Sequence, residues 1–529
     1  MFKSLSSLWS SGPSLNYSVE EPFGSAFGTW IHYSGKSKED ESEVSVFKMQ
    51  CSDVLDPRMI AAKNGVKRLR TIKHPNVLEF KDSLELEQGE KSGGEPVIYL
   101  VTEPVKPLKQ VLRELNLDSS AKEQYLSWGL HQITKAVSFL SNDCKLIHGN
   151  VCLDAIVVTE QLDWKLHGFD MLTEYDQADA YDSPLKLYSN TVAEQYKCEE
   201  VRKGDYALVK RSPPWAVDSW GLGCLVQELF RGGELSKMDE LRDTKVIPPV
   251  VLKDYTRLLG SNPNKRLNPS KLLETNEFFM NKLVDTIRFL EDLNLKDSAE
   301  KENYFRRLPI VLETLVDAIA QKKVLPLLAK ALEFGSAPAV ALDPLLQIAK
   351  TVPSDEYPGK VVPCLVKLYA STDRQIRTTL LTNMDTYIEH MSPTVVDEQV
   401  FPNLASGFTD ATPFLRELTL KSTLALAPKL SQRTINQNLL KHLAKLQVDE
   451  EAAIRANTTI CLGNIARYLS EAAAKRVLLN AFTRALRDQF APARAAGLMA
   501  ITATMGHYDA DEAARRIIPA ARPLPVLYT

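Results

Sequence analysis

The sequence predicts an α+β domain of two lobes, followed by an all-α array of helical repeats. Short runs rich in β-branched and aromatic residues come first, at residues 30–33, 44–48 and 97–103, and helical patterns follow them. Beyond residue 363, several residue types return every 39 positions, as expected of a repeat array. The fold prediction rests on the order of strands before helices and on this fixed period, called here the repeat interval.

The composition is that of an ordinary folded protein, with 529 residues, 44% apolar residues and a formal net charge of -3. It excludes a disordered or fibrous chain. Seven scattered cysteines without a C-x-x-C pair favour a reducing compartment over a disulfide scaffold or a zinc ribbon. The chain has no long apolar run, and residues 1–15 lack the apolar core of a signal peptide, so we expect a cytoplasmic protein with no transmembrane segment.

Seven short segments of the first part each resemble a marker motif of protein kinases, and they stand in the kinase order: residues 46–48, 74–76, 147–150, 165–170, 196–201, 218–223 and 262–266. Each motif is weak alone. Together they resemble a protein kinase and imply a bilobal kinase-like fold over residues 23–280. Residues 1–22 are then an N-terminal extension, which we expect to pack on this domain.

The residues at the catalytic positions of these motifs are the wrong types for phosphoryl transfer. Asn150 replaces the aspartate that orients the nucleophile, and Cys152 replaces the lysine that meets the γ-phosphate. Ala155 replaces the magnesium-binding asparagine, and Gly168 replaces the magnesium-binding aspartate. Gly65 stands where a helix glutamate would pair with the catalytic lysine. We therefore predict that the chain is not an enzyme and holds no metal.

The nucleotide-binding positions are also altered. Lys48 aligns with the lysine of the third strand, and it is either a vestigial structural lysine or a weak ATP contact. In the loop that begins at Gly24, Ala26 and Thr29 stand where further glycines would let backbone amides approach phosphates closely. We expect no bound cofactor.

The packing positions of the kinase pattern are retained. Glu200 and Arg266 occupy the positions of a buried ion pair that ties the end of the activation segment to the large lobe. Asp218 begins the central buried helix, and His148 is expected to support the backbone of the loop around it. Retained packing beside lost chemistry is typical of a pseudokinase.

The second part repeats two residue types at the repeat interval, with each aspartate six positions before an arginine: Arg377, Arg416, Arg455 and Arg494, and Asp410, Asp449 and Asp488. The pattern resembles HEAT repeats and predicts two helices per unit, with an apolar first helix such as 401–408. An aspartate can cap the second helix while an arginine reaches the neighbouring unit, so we assign these residues a structural role. We expect a connector at 281–322 and a solenoid at 323–529 that is truncated at its end.

Further segments, at residues 128–133, 142–144, 146–148, 426–430 and 490–492, resemble the SCY-like pseudokinases over nearly the whole chain. The resemblance implies a non-catalytic scaffold in the cytoplasm, peripheral at the Golgi, in COPI-linked Golgi-to-ER vesicle transport. It also implies a link of some members to nuclear tRNA export. The alternatives are therefore a tRNA-binding export factor and a protein with residual ATP binding or weak kinase activity.

The resemblance implies protein partners for the solenoid, with coatomer among them. Residues 523–529 do not form the basic tail through which family members contact coatomer, so the resemblance does not by itself imply direct coat binding by this form. Transfer RNA is the second expected partner, because the second part carries a modest excess of lysine and arginine. Binding of that kind would be sensitive to salt.

Overall fold

The structure is a computed structural model that describes residues 15–25, 28, 30–86 and 95–521. The chain divides into two compact units, Met1–Phe289 and Leu290–Thr529. The boundary falls inside the predicted connector at 281–322, which is thus divided between the two units. Most of the predicted N-terminal extension, the loop residues Ala26 and Thr29, and the C-terminal residues 523–529 lie outside the described residues.

The first unit begins with a five-stranded antiparallel sheet in the order β1-β2-β3-β5-β4. Its strands are β1 (Pro22–Ser25), β2 (Ile31–Lys36), β3 (Glu43–Gln50), β4 (Phe80–Leu86) and β5 (Val97–Thr102).

Two smaller sheets follow. One has the order β6-β8-β9, and the other pairs β7 with β10. Their strands are β6 (Val105–Pro107), β7 (Leu146–Ile147), β8 (Ile156–Thr159), β9 (Trp164–Leu166) and β10 (Thr173–Glu174).

Helices make up most of the remaining first unit, and capping residues start several of them. Asp56 accepts a hydrogen bond from the Arg58 N–H ahead of the first helix, and Asp118 caps the third. The helices are Pro57–Thr71, Leu108–Leu115, Ser119–Ser138, Pro184–Tyr188, Glu199–Arg202, Tyr206–Arg211, Ala216–Arg231, Pro249–Leu258 and Pro269–Thr275. The helix Lys282–Glu291 spans the boundary between the units.

The described residues of the second unit form helices and turns without a β-strand. The longer helices are Ser298–Leu312, Leu325–Glu333, Leu342–Ala349, Val362–Tyr369, Arg374–Thr382, Pro413–Leu426, Leu440–Leu446, Ala452–Ile465, Glu471–Ala485 and Ala491–Ala503. Shorter ones are Asp317–Ile319, Tyr357–Lys360, Pro393–Val395, Phe401–Leu404, Gln432–Thr434, Ala510–Glu512 and Ile518–Ala521. Ala452–Ile465 packs against both Pro413–Leu426 and Ala491–Ala503, so helices separated by one repeat interval in the sequence are neighbours in space.

Four helical segments of the second unit contain a widened turn whose closing N–H bonds to the carbonyl five residues earlier: Ala320–Val324, Val396–Val400, Ile435–Leu439 and Ala513–Ile517. In three of them a proline follows at the second residue after the turn: Pro326, Pro402 and Pro519. A proline ring clashes with the carbonyl four residues back in a regular helix, and a widened turn relieves that clash. The first helix predicted at 401–408 therefore starts earlier, at Pro393, because the chain stays helical up to Pro402.

Candidate functional site

Strand β3 presents Phe47, and not Lys48, to the cleft beneath the five-stranded sheet. Phe47 is 1% exposed, its ring stacks on His32 with centroids 4.3 Å apart, and it lies 5.4 Å from the His167 ring. Successive side chains of a strand point to opposite faces, so Lys48 points away from this cleft. Of the two roles considered for Lys48, this placement favours the structural lysine over the ATP contact. Residues 44–47 are all buried, so β3 does not alternate between apolar and polar residues. The sequence therefore did not specify which face of the strand points into the cleft.

The side chain of Ser45, on the same face of β3, forms hydrogen bonds with the backbone of Val105, in the segment that follows β5. Its hydroxyl donates to the Val105 carbonyl and accepts from the Val105 N–H, both at 3.0 Å. His32 Nε2 lies 2.9 Å from the same oxygen and must donate to it, since the hydroxyl has one proton. Burial, and then the nearby His167, lower the pKa of His32 to about 3, so its ring is neutral. Both polar groups of Val105 are thus bonded within the protein.

Asp170, which the sequence analysis did not single out, lies against the helix Pro57–Thr71. Trp30 Nε1 donates to its carboxylate at 3.0 Å, and Asn64 Nδ2 donates to its backbone carbonyl at 3.0 Å. Burial raises the pKa of Asp170 to about 7, and the bond from Trp30 opposes that shift. A Cβ atom on Gly65 would overlap the Asp170 carboxylate, so a larger residue at this helix position would have to displace the Asp170 side chain.

Gly168 precedes Phe169 and Asp170 and has a backbone φ of +79°, which glycine adopts without a steric penalty. The space left between Trp30, Phe47 and these residues is about 20 Å³. That is room for a single water. The aspartate has in effect moved from the first position of the motif to the third, and this shift was the sequence signal that could have identified Asp170.

The catalytic-loop positions carry no carboxylate. The Asn150 side-chain oxygen is buried without a hydrogen-bond partner among the described residues. Cys152 is 5% exposed, and burial, followed by the charge of Glu228, raises the pKa of its thiol well above the ordinary value. Ala155 is fully buried, and its carbonyl accepts the His167 N–H at 2.9 Å. These side chains fill the loop and offer no base.

His148 and Asp218 hold the backbone of that loop. The Asp218 carboxylate accepts the N–H groups of His148 and Gly149, each at 2.8 Å. His148 Nε2 lies 2.9 Å from the His167 carbonyl. Burial lowers the pKa of His148 to about 4, so the ring is neutral and donates this bond. Burial raises the pKa of Asp218 to about 6, while the two N–H bonds oppose the rise.

Glu200 and Arg266 form a bidentate ion pair, and each residue is at most 4% exposed. Arg266 Nη2 lies 2.9 Å from Glu200 Oε2, and Nη1 contacts the other carboxylate oxygen. The guanidinium also donates to the carbonyls of Ala216 at 2.9 Å and Gly260 at 2.8 Å. The pair therefore ties three segments of the first unit together.

In the second unit, arginines spaced by the repeat interval link consecutive helix pairs. Arg416 donates to both Asp449 oxygens at 2.8 Å, and Arg455 donates to both Asp488 oxygens at 2.8 and 2.9 Å. The Nη1 atoms of these arginines also donate to the carbonyls of Asp410 and Asp449, six residues back, each at 2.9 Å. Each such bridge, here called a rung, joins the turn of one helix pair to the turn of the next helix pair.

The outer arginines differ from these two. Arg494 donates to the Asp488 carbonyl at 3.0 Å. Arg377 donates through Nε to the Ser371 carbonyl at 2.8 Å, and it is Arg374 that approaches Asp410, at 3.6 Å. The structure therefore brings Arg416 with Asp449, and Arg455 with Asp488, into full rungs.

Two classes of feature are absent from the part of the chain that the structure describes. No group of three or more histidine, cysteine, aspartate or glutamate side chains is arranged to hold a metal ion there. Among the same residues, no helix has the length and apolar character needed to cross a bilayer.

Comparison with known proteins gives one domain match and several relatives. Residues 26–276 match the protein kinase domain family. Over 491 residues the chain is 39% identical to a Dictyostelium discoideum protein named probable inactive serine/threonine-protein kinase scy1, covering 93% of this chain and 58% of that protein. It is 23% identical to mouse SCY1-like protein 2, over 84% of this chain and 51% of the relative.

Two further matches extend the comparison. The chain is 23% identical to cytoplasmic export protein 1 of Saccharomyces cerevisiae, over 99% of this chain and 66% of that protein. The crystal structure of Cex1p has a similar fold, with a TM-score of 0.60 at 21% identity over 98% of this chain and 93% of the other. The chain thus spans between about half and two thirds of the length of these curated relatives.

Proposed function

We infer that the chain belongs to the SCY1-like family of kinase-related proteins, and we propose that it is a catalytically inactive scaffold in intracellular membrane traffic. In this proposal it acts in the cytoplasm and at the Golgi, in COPI-linked Golgi-to-ER transport. Within the family we infer that it is nearest to the member called N-terminal kinase-like protein, because segments such as 128–133 and 426–430 resemble that member. The filled cleft around Phe47 is the observation that carries the loss of catalysis.

The contents of the cleft support the loss of kinase chemistry. Phosphoryl transfer depends on cations at the phosphates, metal-binding oxygens and a base near the nucleophile. In this proposal Phe47 fills the position of the strand lysine, and Gly168 and Asn150 occupy the metal and base positions. Ser45 already bonds both polar groups of Val105. A nucleotide would have to displace buried side chains and would still lack its magnesium ligands.

The helical second unit supports a binding role. We propose that residues 323–529 form a HEAT-type solenoid, because Arg416 and Arg455 make equivalent rungs one repeat apart. Arrays of this kind bind partners on extended surfaces built from successive units. Ile460 and Met499, at equivalent positions of neighbouring helices, are 48% and 72% exposed and are candidates for such a surface.

The loss of catalysis is tested on the full-length chain with ATP, with and without magnesium. A ligand present at a hundred times its Kd adds about 2.7 kcal/mol to stability, which a thermal-shift assay resolves. We expect no shift in Tm and no transfer of labelled phosphate. Lys48→Ala should behave as the wild type. Phosphate transfer that disappears in Asn150→Ala or Asp170→Asn would contradict the proposal and favour residual kinase activity.

The adaptor role is tested by adding purified coatomer to the immobilised full-length chain. We expect coatomer to be retained by the wild type and lost from a variant with both Ile460→Asp and Met499→Asp. Val448→Asp, at a residue that is 66% exposed in a turn between helices, is the matched control and should retain coatomer. Absence of coatomer on the wild type removes the support for a coat-linked role.

A second candidate function is tRNA binding in nuclear export. It is favoured by the similarity to cytoplasmic export protein 1 over 99% of this chain, and by exposed basic residues such as Lys445, Arg476 and Arg484. Filter binding of tRNA at increasing salt tests it, because contacts to the phosphate backbone weaken steeply with salt. No binding at low salt would reject this candidate.

A further inference from the structure

A cavity of about 460 Å³ lies in the first unit, away from the filled cleft. Three helices and a short turn form its walls: Glu199–Arg202, Ala216–Arg231, Pro249–Leu258 and Met238–Arg242. Its volume falls within the range of about 300–1,000 Å³ that is usual for ligand pockets. The cleft around Phe47, by contrast, has no room for a ligand larger than water.

The floor of this cavity is apolar. Trp220, Met238 and Leu259 are partly buried and pack on a buried core that includes Leu241. The Tyr255 hydroxyl donates to the Leu241 carbonyl at 2.6 Å, so its hydrogen-bonding capacity is engaged within the protein. The indole N–H of Trp220 has no acceptor among the described residues. The floor therefore suits a large apolar side chain, with one donor left unsatisfied.

The rim carries the guanidinium of Arg202, which makes no ion pair among the described residues. The nearby Glu199 carboxylate pairs with Lys203 at 2.6 Å, and the Arg202 side chain has only the Met238 sulfur, at 3.8 Å, as a hydrogen-bond partner in this part of the chain. Arg242 faces Asp239 at 3.5 Å with both side chains highly exposed, and such a pair contributes little in water. A ligand carboxylate can therefore pair with Arg202 without displacing a strong ion pair.

We propose that this cavity binds a short acidic peptide segment of a protein partner. A large apolar side chain of the peptide sits on Trp220 and Met238, and a neighbouring carboxylate pairs with Arg202. Thr244, Thr256 and Ser261 also line the cavity, and the Thr256 hydroxyl, which donates to the Lys253 carbonyl at 2.8 Å, can still accept a hydrogen bond. Such donors and acceptors suit a peptide backbone better than an acyl chain. The inference rests on the proposed adaptor function and gives the kinase-like unit a docking site of its own.

The test is selection of displayed random short peptides on the full-length chain, followed by fluorescence anisotropy of the enriched peptides. We expect enriched peptides to place aspartate or glutamate beside phenylalanine, tryptophan or leucine. Arg202→Glu should weaken their binding at least about tenfold. Lys210→Glu, which makes the same charge change at an exposed residue outside this cavity, should leave binding unchanged.

Trp220→Ala tests the floor, and its Tm shows whether the variant folds. If that variant unfolds, Met238→Asp at the cavity edge replaces it and should also weaken binding. Enrichment of basic peptides, or equal binding to wild type and Arg202→Glu, overturns the proposal. So does a result in which no peptide is enriched and dodecanoate raises the Tm of the wild type alone.

If Arg202→Glu loses peptide binding but retains coatomer, this site and the coatomer surface are separate. If the wild type does not retain coatomer while peptides bind as expected, only the proposed role in membrane traffic is rejected.

Discussion

The two units retain their structure by different means. In the cleft of the first unit, each position is filled by a different group, such as the ring of Phe47 or the hydroxyl of Ser45. In the second unit one solution recurs, with Arg416 and Arg455 making the same contacts one repeat interval apart. A substitution in the cleft therefore has no equivalent position elsewhere in the chain. A substitution in one rung can be compared with the same substitution in the neighbouring rung.

The largest effect is expected where the first unit buries opposite charges. Arg266→Met leaves Glu200 buried without a partner, and the loss of one member of a buried pair costs about 3–5 kcal/mol. Urea unfolding of the full-length chain measures the loss. The double variant Glu200→Gln with Arg266→Met removes both charges and should recover part of the stability. A smaller loss for the single variant than for the double would contradict a structural role for the pair.

The next largest effect distinguishes two neighbours on β3. Phe47→Ala should lower the free energy of unfolding by about 3 kcal/mol, because it empties the stack between His32 and His167. Lys48→Ala, on the other face, should change it by less than about 0.5 kcal/mol. Denaturation with urea compares the two. Equal losses would show that the face assignment of β3 is wrong.

A pH-dependent effect is expected at Asp170. Its pKa is about 7 in the folded protein and about 3.9 in an unfolded chain, so the folded state holds the proton more tightly between those values. Stability from this group is present at low pH and is lost as the pH rises toward 7. Asp170→Asn avoids the loss, and it should gain on the order of 2 kcal/mol over the wild type between about pH 5 and about pH 8.

The measurement for Asp170 is urea unfolding at both pH values. Asp176→Asn, at an exposed carboxylate of the same segment, controls for the change of charge and should show no pH-dependent gain. A constant difference between Asp170→Asn and the wild type at the two pH values would exclude a proton held at this site.

The smallest effect concerns the rungs. Arg455→Ala removes two hydrogen bonds to Asp488 and should cost about 1.5 kcal/mol. Among the described residues, Arg494 bonds only to backbone carbonyls of the turn before its own helix. Arg494→Ala should therefore cost less, about 0.5 kcal/mol. Hydrogen exchange of the helix Ala491–Ala503 gives a local measurement. Equal exchange in the two variants would mean that the rungs do not connect units energetically.

The kinase-related domain could be predicted from the order of its motifs, and the match of residues 26–276 confirms it. The helical character of the second part was equally predictable, because its repeat interval is long and regular. The solenoid itself stays a prediction. The face of β3 could not be predicted, since both of its sides are buried. The shift of the aspartate to the third motif position was visible in the sequence, but the contact of Asp170 with Gly65 was not, because it joins residues far apart in the sequence. The widened turns depend on backbone geometry that residue types alone do not specify.

The rung geometry has a consequence for changes in array length. Removal of residues 417–455 would delete one whole interval and place Arg416 where Arg455 now stands. Arg416 would then face Asp488 and would keep the Asp410 carbonyl behind it. A deletion or insertion of whole repeat intervals between these two rungs leaves the arginine at the junction facing an aspartate, so this part of the array can change length without a mismatched rung.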